Sequence, residues 1–384
     1  MPDVVVVGGG VVGASVAWHL AQSGVRDVLV LERGAKPGEG STGRATGGFR
    51  AQFGTSINVR LSLLAREKLR RFRDEVGGDC GYRPCGYLWL ARTQDELRAL
   101  RDAQRVQHAA GLDEARMVDR GEIASLNPAA NLEGVAGGAY CPTDGFVRAL
   151  GILSGYLDAA QRCGVRVRSG ADVVGLRLGA ADRIEAVRLP DGDVACGTVV
   201  NAAGPWAHAL GAMANVEVPV TPLRRQVACT VPSTALPEDM PMTTWAGDGF
   251  HLRVREGRIL LLHPTADEPG RFSTDVDPSW IANVCELAAR RVPALAGVAV
   301  DVPRCWAGLY EMSPDGHALL GPAPGCDNLF LVNGSSGHGV MHSPALGALT
   351  AEWIVHGVPR SLDAIPLRAS RFAEGKAIRG PTLL

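Results

Sequence analysis

The chain of 384 residues is defined first by what it lacks. Its nine cysteines form no Cys-x-x-Cys pair and are odd in number, so neither a zinc knuckle nor a disulfide framework is indicated. Reduced thiols in a cytoplasmic protein are the expectation. The formal net charge is only −1, which leaves no basic footprint for nucleic acid or an anionic membrane surface. No uninterrupted apolar run of about 18 residues occurs, so no membrane span is expected. The opening stretch VVVVGGGVVGASVAWHLA is apolar, yet it lacks the basic flank of a signal peptide. Internal repeats and low-complexity tracts are missing too. Asp315, His317 and the other histidines show no ligand spacing, so no metal is expected. What remains is a balance of 46% apolar and 21% charged residues, ordinary for a chain long enough to hold two cores.

The strongest local pattern comes at the start. Val4–Val7 reads as a buried parallel strand. Gly8-Gly9-Gly10-Val11-Val12-Gly13 follows and fits G-x-G-x-x-G. Val12, Val16, Ala17 and Leu20 then recur at helical spacing until Gly24, and Val28–Leu31 forms a second strand that ends in Glu32. Each residue type has a physical reason. Gly8 permits the tight turn, Gly10 lets a pyrophosphate approach the backbone, and Gly13 lets the helix pack on the strand. The helix N-terminus offers N–H groups and its positive dipole end to phosphate. Glu32 can accept hydrogen bonds from both hydroxyls of a ribose and would repel a 2′-phosphate. The spacing predicts a dinucleotide site.

The next segment, GEGSTGRATGGFRAQFG from Gly38 to Gly54, is small, polar and glycine-rich. An NAD dehydrogenase would usually place an amphipathic helix here, whereas a second phosphate-cradling turn suits the longer FAD. Three further passages matter: VVNAAGPWA (Val199–Ala207), WAGLYEMSPDGHALLGP (Trp306–Pro322) and NGSSGHGVMHSPALG (Asn333–Gly347). Together the four resemble the D-amino acid oxidase superfamily, in the branch of sarcosine oxidase, glycine oxidase and the β subunit of proline dehydrogenase. They fall in the family's order from one end of the chain to the other.

The resemblance implies an α/β fold with an α+β substrate part. A Rossmann-like FAD-binding domain (1–80, 145–215 and 315–384) would interleave with an antiparallel-sheet substrate domain (81–144 and 216–314). It also implies which residues hold the FAD. Arg33, Ser41, Thr42, Arg44, Thr46, Gly47 and Gly48 would line it early in the chain, with Val173 against the adenine. Ala203, Gly204 and Trp206 would lie beneath it, and Gly337, His338, Gly339, Val340 and Met341 would clamp the flavin. The cysteine that tethers flavin in sarcosine oxidases is matched by Gly308, and Cys305 is out of register, so the FAD is expected to be noncovalent.

Local patterns add detail. QRCGVRVRSGADVVGLRL alternates like edge strands around a turn, and GFHLRVREGRILLLH reads as a hairpin about Glu256-Gly257. Ser343 as N-cap and Pro344 at the first helical position predict a last helix from there to about Val355. Its N-terminus would stabilise an anionic reduced flavin by about 0.3–2 kcal/mol.

Four residues are candidates for the chemistry. Arg50 ends the second glycine turn, where the resemblance places an arginine that grips a substrate carboxylate. A guanidinium suits this because its planar fork makes two hydrogen bonds to a carboxylate. A structural ion pair or FAD contact is the alternative, and Arg44 has a rival claim as a phosphate or structural contact. Trp306, Gly308 and Tyr310 alternate on one face, and the family's matching tyrosine faces the substrate. On the hairpin, His251 and His263 point to opposite sides; His251 is expected at the cavity and His263 in the core. Met341 stands where sarcosine oxidases carry a lysine credited with activating oxygen.

The implied reaction is oxidation of an amino acid C–N bond to an imine that hydrolyses, with a secondary amine such as an N-substituted glycine favoured. Electrons would pass to oxygen or to a redox partner protein. The alternatives are a dehydrogenase subunit feeding a partner flavin or iron–sulfur protein, a hydroxy-acid oxidoreductase, and a non-enzymatic FAD-binding assembly factor.

Overall fold

The computed structural model describes residues 1–264 and 271–380. The expected segments 216–314 and 315–384 therefore each include a few residues, 265–270 and 381–384, outside that description.

One sheet has six strands in the order Leu319–Ala323, Cys326–Asn333, Thr198–Asn201, Val4–Val7, Val28–Leu31, Arg166–Arg168. All neighbours run parallel except the first pair, which is a hairpin. Val4–Val7 lies inside it, in register with Val28–Leu31 on one side and Thr198–Asn201 on the other. Four consecutive valines suit that place because an interior parallel strand is covered on both faces.

The first helix, Val11–Gln22, packs on this sheet and against the C-terminal helix, Gly339–His356. The approach of the two helices is close: a methyl group on Gly347 would stand 2.2 Å from Ser15 Oγ. Residues near both ends of the sequence thus form one layer.

The second large sheet has eight strands in the order Trp306–Met312, Thr221–Cys229, Arg258–Leu262, His251–Arg255, Met242–Trp245, Tyr87–Ala91, Gly137–Cys141, Arg116–Val118. Its pairs are antiparallel apart from Met242–Trp245 beside Tyr87–Ala91. The hairpin turn at Glu256-Gly257 is as expected, with Arg255 paired to Arg258 and φ of 54° and 67° at the two loop residues. Two positive values fit a type I′ turn.

Two expectations change here. The segment Gln161–Leu178 does supply two edge strands, Arg166–Arg168 and Gly175–Leu178, but they belong to different sheets. The last helix begins at Gly339, four residues before Ser343. Pro344 therefore lies inside it, where it cannot donate to the carbonyl of Val340. The Ser343 hydroxyl takes that carbonyl instead, at 2.9 Å, so the serine repairs the helix rather than capping it.

Candidate active site

The two large sheets and the C-terminal helix enclose a cavity of about 1080 Å³. Every residue proposed from sequence for the cofactor or the chemistry lines it except Gly13, which lies behind the wall.

The end beside the first glycine turn is built largely from backbone. Gly8 has φ of 116°, and a methyl group there would meet the Ala202 carbonyl oxygen at 2.2 Å. Gly13 is as constrained, since its added carbon would lie 2.0 Å from Gly8 O. Gly10 opens to the cavity, where the nearest obstacle is Thr42 Oγ1 at 3.3 Å. That Thr42 oxygen accepts the Val11 amide at 3.1 Å. Val12 and Gly13 remain in the first turn, where an α-helix gives amides no internal partner. Glu32 accepts the Gly9 and Gly34 amides at 2.9 and 2.7 Å, which fixes its carboxylate at the cavity wall. A carboxylate offers about four lone-pair sites, so this leaves acceptor capacity for a ribose. The guanidinium carbon of Arg33 lies 3.6 Å from the Trp206 ring centre. Val173 and the turn Ala203–Gly204 line the same end.

The middle is held by the second glycine turn. Ser41 donates to Leu309 O at 2.7 Å, and Arg44 donates to Ala307 O at 3.0 Å. Trp306 Nε1 returns a bond to Arg44 O at 2.7 Å, so Arg44 ties the glycine turn to the strand Trp306–Met312 while lining the cavity. Arg253 reaches in from the hairpin and donates to Thr46 O and Gly47 O at 2.7 and 3.1 Å. Burial lowers the Arg253 pKa to about 9. Gly48 begins a short strand paired with Phe146.

The far end is made of side chains. Arg50 is 5% exposed. Its Nη1 donates to Gln52 O at 2.7 Å and its Nη2 to His338 Nε2 at 3.1 Å. The guanidinium lies over Phe53, 4.0 Å from the ring centre. Burial lowers its pKa, opposed by Tyr87, Asp144 and Tyr310. Asp144 anchors the loop beyond it, accepting the Ala51 amide at 2.7 Å and Gln52 Nε2 at 3.2 Å. Burial raises the Asp144 carboxyl to about 6 despite these donors. Tyr310 packs against Gly337, whose added carbon would lie 2.4 Å from the ring. Burial raises the Tyr310 and Tyr87 phenols and keeps both neutral.

His251 sits on the wall with Nδ1 2.8 Å from Gly249 O, which makes Nδ1 the donor and Nε2 the acceptor. Burial lowers its pKa to about 4, with Arg50 and Arg225 adding to the effect, so the ring is neutral at pH 7. His263 departs from its expected place in the core. It is only partly buried and also lines the cavity, because its strand ends at Leu262 and the next residue turns to the opening. Met341 is buried beside Gly337–Val340, which line the cavity with it. Gly308 lines the cavity but Cys305 does not, its thiol being 3.4 Å from the Cys229 amide. Among the described residues, no three His, Cys, Asp or Glu side chains gather as metal ligands.

Sequence reasoning passed over Tyr87, Glu311, Asp144 and Arg225. Tyr87 opens the run YLWLA and reads as core. Asp144 lies more than ninety positions from the loop it anchors. Glu311, a charge inside the otherwise apolar run GLYEM, was the available signal.

A long cavity with glycine-bounded walls at one end, a fixed carboxylate for a ribose, and a helix N-terminus at the other fits an FAD. Comparisons agree. The curated relatives include the mitochondrial dimethylglycine dehydrogenase of Rattus norvegicus, 29% identical over 97% of this chain and 45% of that protein. A 4-methylaminobutanoate oxidase (formaldehyde-forming) of Paenarthrobacter nicotinovorans is 28% identical, over 96% and 45%. The chain thus spans about half the length of these two relatives. The glycine oxidase of Geobacillus kaustophilus is 28% identical over 96% of this chain and 97% of its own. Among solved structures, L-proline dehydrogenase from P. horikoshii superposes with a TM-score of 0.90 at 25% identity, covering 98% of this chain and 99% of that one. Residues 3–353 match the FAD dependent oxidoreductase family, DAO, and the chain belongs to that family.

Proposed function

We propose that the chain oxidises the C–N bond of an amino acid, with a secondary amine such as an N-substituted glycine preferred, and that Arg50 holds the substrate carboxylate. The observation that carries this is the buried Arg50 guanidinium on the cavity wall, among Tyr87, Tyr310 and His251. The names of the similar proteins, which concern dimethylglycine, 4-methylaminobutanoate and glycine, support substrates of this kind. Bound FAD supplies the electron-accepting chemistry. The chain's own residues supply position. Arg50 orients the carboxylate through its planar fork. His251, held neutral, offers Nε2 to an amine N–H. Tyr310 and Tyr87 present neutral phenols, while Met242 and Leu262 add apolar wall that displaces water.

Three further assignments belong to the same proposal. Residues 1–80, 145–215 and 315–384 form the FAD-binding domain, and 81–144 and 216–314 the substrate domain. The FAD is noncovalent, supported by the lack of a thiol at Gly308. Gly8, Gly10, Val12, Glu32 and the clamp Gly337–Met341 contact it.

A second reading, electron delivery to a partner protein rather than to oxygen, is favoured by Met341 in the place of the oxygen-activating lysine. Both are tested by adding N-substituted glycines, proline, primary amino acids and hydroxy acids to the anaerobic protein and following flavin bleaching. Bleaching by an N-substituted glycine is expected. Bleaching by hydroxy acids alone would overturn the amine assignment. Admitting oxygen then separates the acceptors: fast reoxidation with peroxide formation marks an oxidase, and reoxidation only by an added electron acceptor marks a dehydrogenase.

A further inference from the structure

Glu311 is a cavity residue that the amino-acid reading leaves unused. It follows Tyr310 on the strand Trp306–Met312, and strand alternation sends its side chain the other way. Its surroundings there are two glycines. A methyl group on Gly204 would lie 4.0 Å from Oε2, and one on Gly339 would lie 3.7 Å from Oε1. Oε1 accepts the Ser335 amide at 3.2 Å. Oε2 makes no hydrogen bond among the described residues and is shut off from solvent. Burial pushes the carboxyl up to about 7, with the Ser335 amide and hydroxyl and the Gly334 amide restraining the rise. Buried acceptors in native proteins have donors, and one without is costly.

The position suggests where the donor comes from. Ala202, two residues before Gly204, abuts Gly8 of the phosphate turn, while Gly339 opens the helix at the flavin clamp. Glu311 therefore stands between the parts of the wall suited to the pyrophosphate and to the ring. In FAD the link between those groups is the ribityl chain, which carries three hydroxyls. We propose that Glu311 is a cofactor-binding residue whose Oε2 accepts a hydrogen bond from a ribityl hydroxyl of FAD. The inference rests on the FAD cavity and not on the identity of the substrate, so it survives failure of the amine assignment.

The test strips the protein of FAD, titrates the cofactor back by flavin fluorescence, and melts the apo and holo forms. Glu311→Leu should raise the Kd for FAD about tenfold or more, the scale of one hydrogen bond to a charged group. The apo form should melt close to the parent, because losing the donorless Oε2 offsets the acceptor that the Ser335 amide loses. Glu311→Gln keeps hydrogen-bonding capacity that a hydroxyl can meet as donor or acceptor, and should stay within about threefold of the parent. The visible band of bound FAD should not shift in either variant. An unchanged Kd in Glu311→Leu overturns the proposal. So does an apo form that melts lower or fails to fold while Glu311→Gln behaves normally, which would make the residue part of the scaffold. A shifted visible band would move the contact to the ring and overturn the ribityl assignment.

Discussion

The two ends of the cavity are built by opposite means. At the end beside the first glycine turn the work is done by main chain: glycines at 8, 10 and 13, the Gly9 and Gly34 amides that fix Glu32, and a helix N-terminus. At the far end it is done by side chains drawn from separate segments, with Arg50, Tyr87, His251, Tyr310 and His338 meeting from five places in the sequence. A backbone site tolerates little variation because a Cβ has nowhere to go. A side-chain site can be retuned one residue at a time. Shared cofactor binding and divergent substrates within one family are what that contrast allows.

Substitutions at each end should break the contrast in different ways. The largest effect is expected at Gly8→Ala. The added methyl meets a backbone oxygen at 2.2 Å in a conformation with φ of 116°, so the protein should emerge without FAD and lose roughly 3 kcal/mol or more of stability. Flavin content and thermal melting check this.

Next is Arg50→Ala, which should retain FAD while raising the apparent KM about a hundredfold, equivalent to about 3 kcal/mol of charge-assisted hydrogen bonding. Loss of FAD with unchanged KM would place Arg50 at the other end of the contrast. Arg50→Lys should recover little, since an ammonium cannot reproduce the fork.

A third test reaches the buried ion pair that follows the strand Trp306–Met312. Arg371 donates to both oxygens of Asp315 at 2.8 and 2.7 Å, and the Ile378 amide adds a bond at 3.0 Å. Burial would raise the Asp315 carboxyl, but these donors with His317 hold it well below the usual carboxylate range. A depressed folded-state pKa gives stability that is fully present above the unfolded value, about 3.9, and is lost only as pH falls on through the much lower folded value. Asp315→Asn should therefore melt below the parent at pH 7, by about 3 kcal/mol for a broken buried pair, with the gap only beginning to narrow below about pH 4. The smallest effect is expected for Thr42→Ala, which removes the acceptor of the Val11 amide and should weaken FAD retention by about 1 kcal/mol.

Legibility in the sequence follows the same division. The strand, turn, helix and acid from Val4 to Glu32 are contiguous, and each residue type there is dictated by local geometry. The hairpin about Glu256-Gly257 was legible for that reason too, down to the pairing of His251 with Leu262. The start of the last helix was not. Ser-Pro is a good opening pair, and only the Ser343 bond to Val340 O shows how the helix runs through it. His263 was misplaced because alternation fixes which side a residue faces but not where the strand ends. Tyr87 and Asp144 were invisible because nothing near them in sequence announces the loop of Arg50 that they meet in space.

The packing of Gly347 on Ser15, with the strand Cys326–Asn333 laid beside Thr198–Asn201, has a consequence for synthesis. A nascent polypeptide still short of its final helix has written the whole phosphate turn yet has no partner for the face of its first helix. The coenzyme should settle firmly only once Gly339–His356 has been made, so a chain truncated before Gly339 should emerge colourless.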